Sequence, residues 1–240
     1  MRRFLTCLVA AAAAALAASL CVAQEGEAKP AAAPTTQPAG VQAPPKPMVV
    51  PQYWQFDLDA EPLLPIELKL PGSAQPQLFW YLRYTVTNKG GGDHVFVPEF
   101  VLYADTGEIL RTGQRTSTQV FLEIQKLYKD PLMKRQTAVT RKLLSGEDNA
   151  QSSVAIWPDF DPNAGTVDIF IGGLSGETKK IPLPAPIQVV ETDWKGERHT
   201  VTRSEMILSK TLHLRYEVPG QASARKFVKP RLVLKEWVMR

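Results

Sequence analysis

The sequence predicts a mainly β protein, in which an antiparallel β-sandwich carries one short inserted helix and additional strands towards the C-terminal end. Large apolar side chains occupy every second position of one early run, at Leu78, Trp80, Leu82, Tyr84 and Val86, and this period of two is typical of a strand with one buried face. Similar short runs recur between turn-forming Gly, Pro, Asn and Asp residues. Only one segment of the predicted globular part has clear helical spacing.

The first 51 residues predict export. Arg2 and Arg3 precede an apolar, alanine-rich run, and Cys21-Val22-Ala23 offers small residues for cleavage, so 1–23 is predicted to be a signal peptide rather than a membrane anchor. Residues 24–51 are rich in Ala, Pro, Thr and Gln, which predicts an extended, disordered linker. We therefore expect a periplasmic or extracellular protein without a transmembrane segment after signal cleavage.

Charge and cysteine content exclude several classes of function. The chain of 240 residues has a formal charge of +4, and losing Arg2 and Arg3 with the signal leaves 26 basic against 24 acidic side chains. That balance does not favour nucleic acid as a partner. Both cysteines, Cys7 and Cys21, lie in the predicted signal, so the mature chain has no disulfide, thiolate nucleophile or cysteine-bound metal. No cofactor is predicted.

The globular part divides into a sandwich at 52–178 and C-terminal strands at 179–240, which either join the sandwich or form a small β unit. Residues 77–107 are interpreted as one long hairpin that turns at Gly90–Gly92. Apolar positions 120, 121, 124, 127 and 128 predict the inserted helix near 118–129, with Ser117 or Thr118 as its cap. Further strands are predicted at 53–58, 64–70, 109–111, 153–157, 167–171, 187–192, 206–218 and 232–239.

Part of this region resembles immunoglobulin-like domains of exported bacterial proteins. Tyr84, Val86 and Asn88 match a Tyr-x-Val-x-Asn pattern at the second strand of such domains, and the turn at 143–147, Leu-Leu-Ser-Gly-Glu, is similar to their Leu-x-x-Gly-Glu turn. The resemblance covers about residues 50–175, from which the inserted helix departs. It implies an immunoglobulin-like sandwich and a role in adhesion, spacing or assembly, although a fold by itself does not assign a function.

Two groups of basic residues are candidate binding surfaces. One surrounds the predicted helix and comprises Lys126, Lys129, Lys134, Arg135, Arg141 and Lys142. The other, near the C-terminus, comprises Arg225, Lys226, Lys229, Arg231 and Lys235. If they converge, they suit an anionic polysaccharide, a phospholipid surface or an acidic protein, and the alternative is two solvated faces. Trp194 lies in a turn and is the best candidate for an exposed, sugar-stacking aromatic residue.

Metal and catalytic motifs are weak. Asp159, Asp161 and Asn163 alternate like the ligands of a calcium loop, but Ala164 and Phe170 stand where an EF-hand has glycine and glutamate, so a polar turn is the favoured interpretation. The three histidines, His94, His199 and His213, have no metal-ligand spacing and no serine and aspartate beside them.

These observations favour an exported, non-enzymatic protein that acts as a binding or structural component of the cell envelope. An envelope protein or an anionic polysaccharide is the expected partner. Two alternatives remain open: a carbohydrate-binding module that uses Trp194 and the basic groups, and a hydrolase whose site is assembled only in three dimensions.

Overall fold

Strands dominate the chain. The structure, a computed structural model, describes residues 45–47, 53–218, 222–227 and 229–240. The predicted signal peptide, and the predicted linker apart from 45–47, lie outside the described residues. Strands account for 54% of the structure and helices for 12%, which confirms the prediction of a mainly β protein.

Thirteen strands and two helices are found in the described residues. In chain order they are β1 (Asp57–Ala60), β2 (Leu64–Leu68), β3 (Gln77–Thr87), β4 (His94–Phe96), β5 (Glu99–Ala104), β6 (Ile109–Arg111), α1 (Thr118–Tyr128), β7 (Lys134–Arg135), α2 (Gln136–Val139), β8 (Arg141–Leu143), β9 (Gln151–Pro158), β10 (Thr166–Gly172), β11 (Thr178–Thr192), β12 (Arg198–Glu217) and β13 (Arg231–Met239). Short 3-10 helices lie at Glu147–Asn149 and Ala222–Phe227.

These strands form two larger sheets and one small one. In the first sheet, β3 lies between β9 on one side and β1 and β2 on the other, all antiparallel, while β7 pairs parallel with β9. The second sheet has the order β11-β12-β10-β5-β6, and β13 pairs with the free side of β12. The C-terminal strands β12 and β13 thus belong to the same sheet as β5 and β10. Strands β4 and β8 form a separate pair.

One apolar core lies between the two larger sheets. The alternating residues of β3 point into it, and Trp80, Leu82 and Val86 are fully buried there, as the period of two predicts. The second sheet contributes β-branched and aromatic side chains from β5, β10 and β12, including Ile169 and Tyr216. Burial of so many large side chains is the main stabilising contribution to the fold.

Helix α1 covers the outer face of the first sheet. Its Val120, Phe121 and Ile124 pack against Phe79 and Ile156, in a second cluster of buried residues. Ser117 occupies the N-cap position without a side-chain capping hydrogen bond, and Lys129 ends the helix in the left-handed conformation at φ 51°. The predicted inserted helix is therefore confirmed, with its start and end at the expected positions.

The predicted hairpin across residues 77–107 is wrong. Strand β3 belongs to the first sheet and β5 to the second, where it pairs with β10 and β6. The Gly90–Gly92 run connects the two layers, and the buried Asn88 fixes it through hydrogen bonds from its Nδ2 to the carbonyl oxygens of Gly92 and Leu143. Both faces of β5 are largely buried, which suits the middle of a covered sheet better than one arm of a hairpin.

Candidate functional site

The most exposed regular structure in the described residues is a two-stranded extension of the second sheet. Residues 187–192 of β11 pair with 198–203 of β12, from Ile187 opposite Arg203 to Thr192 opposite Arg198. No other described strand pairs with these segments, because β10 and β13 meet β12 only from residue 210 onwards. We call residues 187–203 the β arm.

Length alone explains why the β arm leaves the sheet. Strand β12 has 20 residues and its neighbour β10 has 7. At about 3.3 Å per residue, β12 exceeds β10 by about 40 Å. Pro182, Pro184 and Pro186 lie in β11 at the base of the β arm, where the pairing register shifts between Pro182 and Ile187. Proline is tolerated there because β11 is an edge strand.

The two faces of the β arm differ in chemistry. Residues opposite each other share a face, so Ile187, Val189 and Val201 form an apolar strip beside the Arg203–Glu191 ion pair. The other face carries mainly threonine, together with Gln188, Arg198 and Val190. Ile187 is 46% exposed and Val201 is 39% exposed, so the strip is not covered by any described part of the chain. The strip is therefore a candidate contact surface.

The tip of the β arm is a tight turn that presents Trp194. Asp193 accepts hydrogen bonds on its Oδ1 from the backbone N–H groups of Lys195 at 2.9 Å and Glu197 at 2.8 Å, and Gly196 takes a positive φ of 87°. Trp194 is 88% exposed, and the Nζ of Lys195 lies 5.1 Å from the centre of its ring. The turn therefore holds a large aromatic side chain in solvent.

Asp193, Glu197 and His199 bring three possible metal-ligand atoms within 4.8 Å of one another at this tip. The hydrogen bond from the Glu197 backbone N–H lowers the pKa of Asp193, and the hydrogen bond from His199 lowers it further by a smaller amount. Together these hydrogen bonds outweigh the partial desolvation of the carboxylate. The same hydrogen bonds shape the turn, so the cluster has a structural role without an ion.

The basic residues predicted around α1 are spread over several elements, and most have a partner. Lys126 pairs with Glu123 at 2.9 Å, Lys142 with Asp93 at 3.1 Å, and the Nη1 of Arg135 donates to Thr118 at 3.3 Å. Lys129 serves as the C-cap of α1. In contrast, Arg141 and Lys134 approach each other, since both donate to the Oε1 of Gln151.

The C-terminal basic group is not one surface. Arg225 is 2% exposed: its Nη1 donates to the carbonyl oxygen of Phe160 at 2.9 Å and its guanidinium carbon lies 4.3 Å from the Phe160 ring centre. Burial lowers the pKa of Arg225, although nearby carboxylates such as Asp159 oppose that effect. Lys226 pairs with Glu67 at 3.0 Å, and Arg231 with Glu217 at 2.5 Å.

The loop of Asp159, Asp161 and Asn163, the weak calcium candidate, is held by hydrogen bonds within the chain. Asp159 accepts a hydrogen bond from the Nε1 of Trp80 at 2.7 Å and lies 3.6 Å from Arg225. Asp161 accepts from both the backbone N–H and the side-chain amide of Asn163, at 2.8 and 3.0 Å. The loop is thus held as a polar turn between β9 and β10.

Asp168 lies in a charged network on β10 and β12. Its Oδ1 accepts from the Nε of Arg215 and contacts the Nε2 of His213, both at 2.7 Å, and the Nδ1 of His213 faces Glu236 at 3.3 Å. Burial opposes ionisation of Asp168, but these hydrogen bonds outweigh it and lower its pKa. Among the described residues, no serine or threonine hydroxyl is hydrogen-bonded to a histidine, so this network does not include an activated nucleophile.

Sequence reasoning missed the β arm as a unit, because it predicted strands at 187–192 and 206–218 but none over 198–205. A signal was present: Asp193-Trp194-Lys195-Gly196 is a turn sequence, and the segments on both sides of it are rich in the β-branched residues valine and threonine.

The fold and surfaces define a mainly β protein with a solvent-exposed arm. Neither helix of the described residues is long and apolar enough to span a bilayer. No protein-family model, curated protein or solved structure matches the chain.

Proposed function

We propose that this chain is an exported, non-enzymatic protein that acts as a binding or structural component of the cell envelope, with the β arm as its contact surface. The observation that carries the proposal is the apolar strip of Ile187, Val189 and Val201, which no described residue covers. The expected partner is an envelope protein with a complementary apolar surface.

The energetics of a β ribbon support this role. A two-stranded hairpin without a covering layer is marginally stable in water. Covering the strip with a partner would contribute about 1.5–3 kcal/mol for each large apolar side chain that becomes fully buried. That gain must exceed the cost of association, so we expect the partner also to engage Ile207, which is 53% exposed and lies on the same face of β12 as Val201.

We propose an immunoglobulin-like β-sandwich for the body that carries the β arm. Two larger sheets that share one core, and the position of Tyr84, Val86 and Asn88 in and just after β3, support it. Export by a signal peptide at 1–23, with a linker at 24–51, is likewise a proposal that rests on the sequence pattern. Such a linker would separate the body from a membrane or wall.

Capture of a partner from an envelope extract by the tagged full chain tests the role of the β arm. The double variant Ile187→Thr/Val201→Thr removes the two most exposed residues of the apolar strip, whereas Val190→Thr makes the same kind of change on the opposite face. We expect wild type and Val190→Thr to recover the same partner, and the double variant to lose it at unchanged thermal stability. The proposal fails if the wild type recovers no partner and binds no envelope polymer. It also fails if Val190→Thr loses the partner to the same extent as the double variant.

Trp194 favours a second candidate function, a carbohydrate-binding module. A tryptophan that is 88% exposed at the tip of a rigid turn offers a flat apolar surface to a sugar ring. On a glycan array, Trp194→Ala should lose binding, while Tyr53→Ala, at another exposed aromatic residue, should retain it. Absence of glycan binding by the wild type, or retained binding by Trp194→Ala, would reject this function.

A further inference from the structure

Two cations converge on one neutral oxygen away from the β arm. The Nη2 of Arg141 donates to the Oε1 of Gln151 at 2.8 Å, and the Nζ of Lys134 donates to the same oxygen. The three residues come from three strands: Lys134 starts β7, Arg141 starts β8 and Gln151 starts β9. Parallel pairing of β7 with β9 places Lys134 opposite Ser153, two residues beyond Gln151.

The positive charge of this pair is not compensated within the described residues. No carboxylate among them lies within 4.0 Å of the charged groups of Lys134 or Arg141. Asp93 is engaged by Lys142 and by the backbone N–H of Ser145. Asp130 accepts hydrogen bonds from the backbone of its own turn and from Ser152.

The electrostatics of Lys134 agree with this geometry. Burial and, to a smaller extent, repulsion by Arg141 lower the pKa of Lys134. Both effects disfavour the charged ammonium, and an anion placed between the two cations would oppose them. An anionic ligand placed between Lys134 and Arg141 would therefore stabilise their charged forms.

The Gln151 amide indicates the geometry of that ligand. A glutamine amide has nearly the shape of a carboxylate, but its oxygen carries only a partial charge. A carboxylate oxygen in the same position would form charge-assisted hydrogen bonds with Lys134 and Arg141 together, about twice as strong as neutral ones. Arginine in particular suits planar recognition of a carboxylate.

A cleft of about 300 Å³ lies next to Arg141 and Gln151, and Lys134, which does not line it, donates to the Gln151 oxygen at its edge. It is lined by Arg141, Lys142, Leu144, Asn149 and Gln151. Leu144 is 47% exposed and supplies an apolar surface next to the charged groups. Cations, an amide and one apolar side chain together are the chemistry that recognises a charged sugar ring, whose C–H face is apolar and whose substituents are polar.

We propose that this cleft binds the carboxylate of an acidic sugar. The Gln151 side chain turns away, and Arg141 and Lys134 hold the carboxylate where the Gln151 oxygen stood. Leu144 contacts the C–H face of the ring, and Asn149, whose Nδ2 donates to the Ser145 carbonyl oxygen, offers its Oδ1 to a hydroxyl group. The site lies on β7, β8 and β9, so it is separate from the contact surface proposed for the β arm.

Titration of the full chain with D-glucuronate, followed by backbone amide chemical shifts, tests the site. We expect saturable shifts in residues 141–151, and none with D-glucose, which lacks the carboxylate. Lys134→Met and Arg141→Met should each weaken binding roughly tenfold or more, because each removes a hydrogen bond between charged groups. Lys126→Met is the matched control, since Lys126 pairs with Glu123 on α1 and should leave binding unchanged.

Gln151→Glu is the most direct variant. It places a carboxylate of the protein between the two cations, so it should abolish D-glucuronate binding and raise the midpoint of thermal unfolding. Retained binding in Gln151→Glu, no saturable shift in the wild type, or an equal loss in Lys126→Met would overturn the proposal. Acetate and N-acetylglutamate that bind as tightly as D-glucuronate would reject a sugar as the ligand.

Discussion

Two glycines with the same backbone conformation provide a sharp test of how closely the turn after β10 approaches the segment that precedes β5, its neighbour in the second sheet. Gly173, just after β10, and Gly113, just after β6, both have φ of 79°. A Cβ at Gly173 would lie 2.1 Å from the carbonyl oxygen of Val97 and 2.9 Å from its carbon, whereas at Gly113 it would meet nothing within 4 Å. Comparing alanine variants at the two positions therefore separates the cost of the backbone conformation from the cost of steric overlap.

The expected losses follow from these two contributions. Each alanine variant is forced into the left-handed region, which costs about 1–2 kcal/mol. At Gly113 this is the whole effect. At Gly173 the overlap is with backbone atoms, which cannot rotate away like a side chain, and such overpacking adds about 1–3 kcal/mol. We therefore expect Gly173→Ala to lose about 2–5 kcal/mol in total.

Equilibrium unfolding in urea, followed by tryptophan fluorescence, measures both variants under the same conditions. The midpoint of Gly173→Ala should fall well below that of Gly113→Ala, with an unchanged dependence of the free energy on urea concentration. Losses that agree within about 0.5 kcal/mol would refute the close approach of Val97 to this turn.

Two further predictions concern charged groups. Asp168→Asn should lower the free energy of unfolding by about 1–2 kcal/mol, because hydrogen bonds from Arg215 and His213 lose their charged acceptor. Folding lowers the pKa of Asp168. The stability that the Asp168 carboxylate contributes is therefore fully present above the pKa of the unfolded chain, about 3.9, and is lost as the pH falls through the pKa of the folded protein. The urea midpoints of Asp168→Asn and wild type should accordingly converge in acid. Lys210→Met removes the buried ion pair between Lys210 and Glu177, whose charged atoms lie 2.9 Å apart, and should cost about 3–5 kcal/mol. The double variant Lys210→Met/Glu177→Leu should recover most of that loss. A double variant as unstable as the sum of the single losses would contradict this account.

Local patterns predicted the elements of this fold better than their pairing. The alternation in β3 correctly predicts its core-facing residues, and the apolar spacing of α1 correctly predicts the helix, although Leu127 is 60% exposed. The hairpin interpretation of 77–107 failed because a glycine run between two strands is compatible with a turn in one sheet and with a crossing between two sheets. The crossing between the sheets is held by Asn88, whose side chain donates hydrogen bonds to the carbonyl oxygens of Gly92 and of Leu143, which is 55 residues away in sequence.

The surroundings of the candidate binding residues, like the pairing of the strands, could be predicted only in part from the sequence. The exposure of Trp194 follows from the sequence, because turn residues flank it. The charged residues were not separable from sequence: Arg225 is buried against Phe160, whereas Arg141 meets Lys134 at Gln151. Whether a basic side chain faces a ring, a carboxylate or another cation depends on strands that are distant in sequence, and neither composition nor charge spacing contains that information.

Strand β12 shows why the β arm in particular escaped prediction. Residues 198–207 are all exposed, whereas 210–214 are all buried, although strand geometry is the same throughout. The difference arises where β10 and β13 begin to pair with β12 and the first sheet faces it across the core. An alternating pattern reports which side chains share a face, but not whether a second layer covers that face. The apolar strip of the β arm belongs to the part of β11 and β12 that the first sheet does not cover. A partner that covers the strip would bury it in the way that the body of the protein buries residues 210–216 of β12.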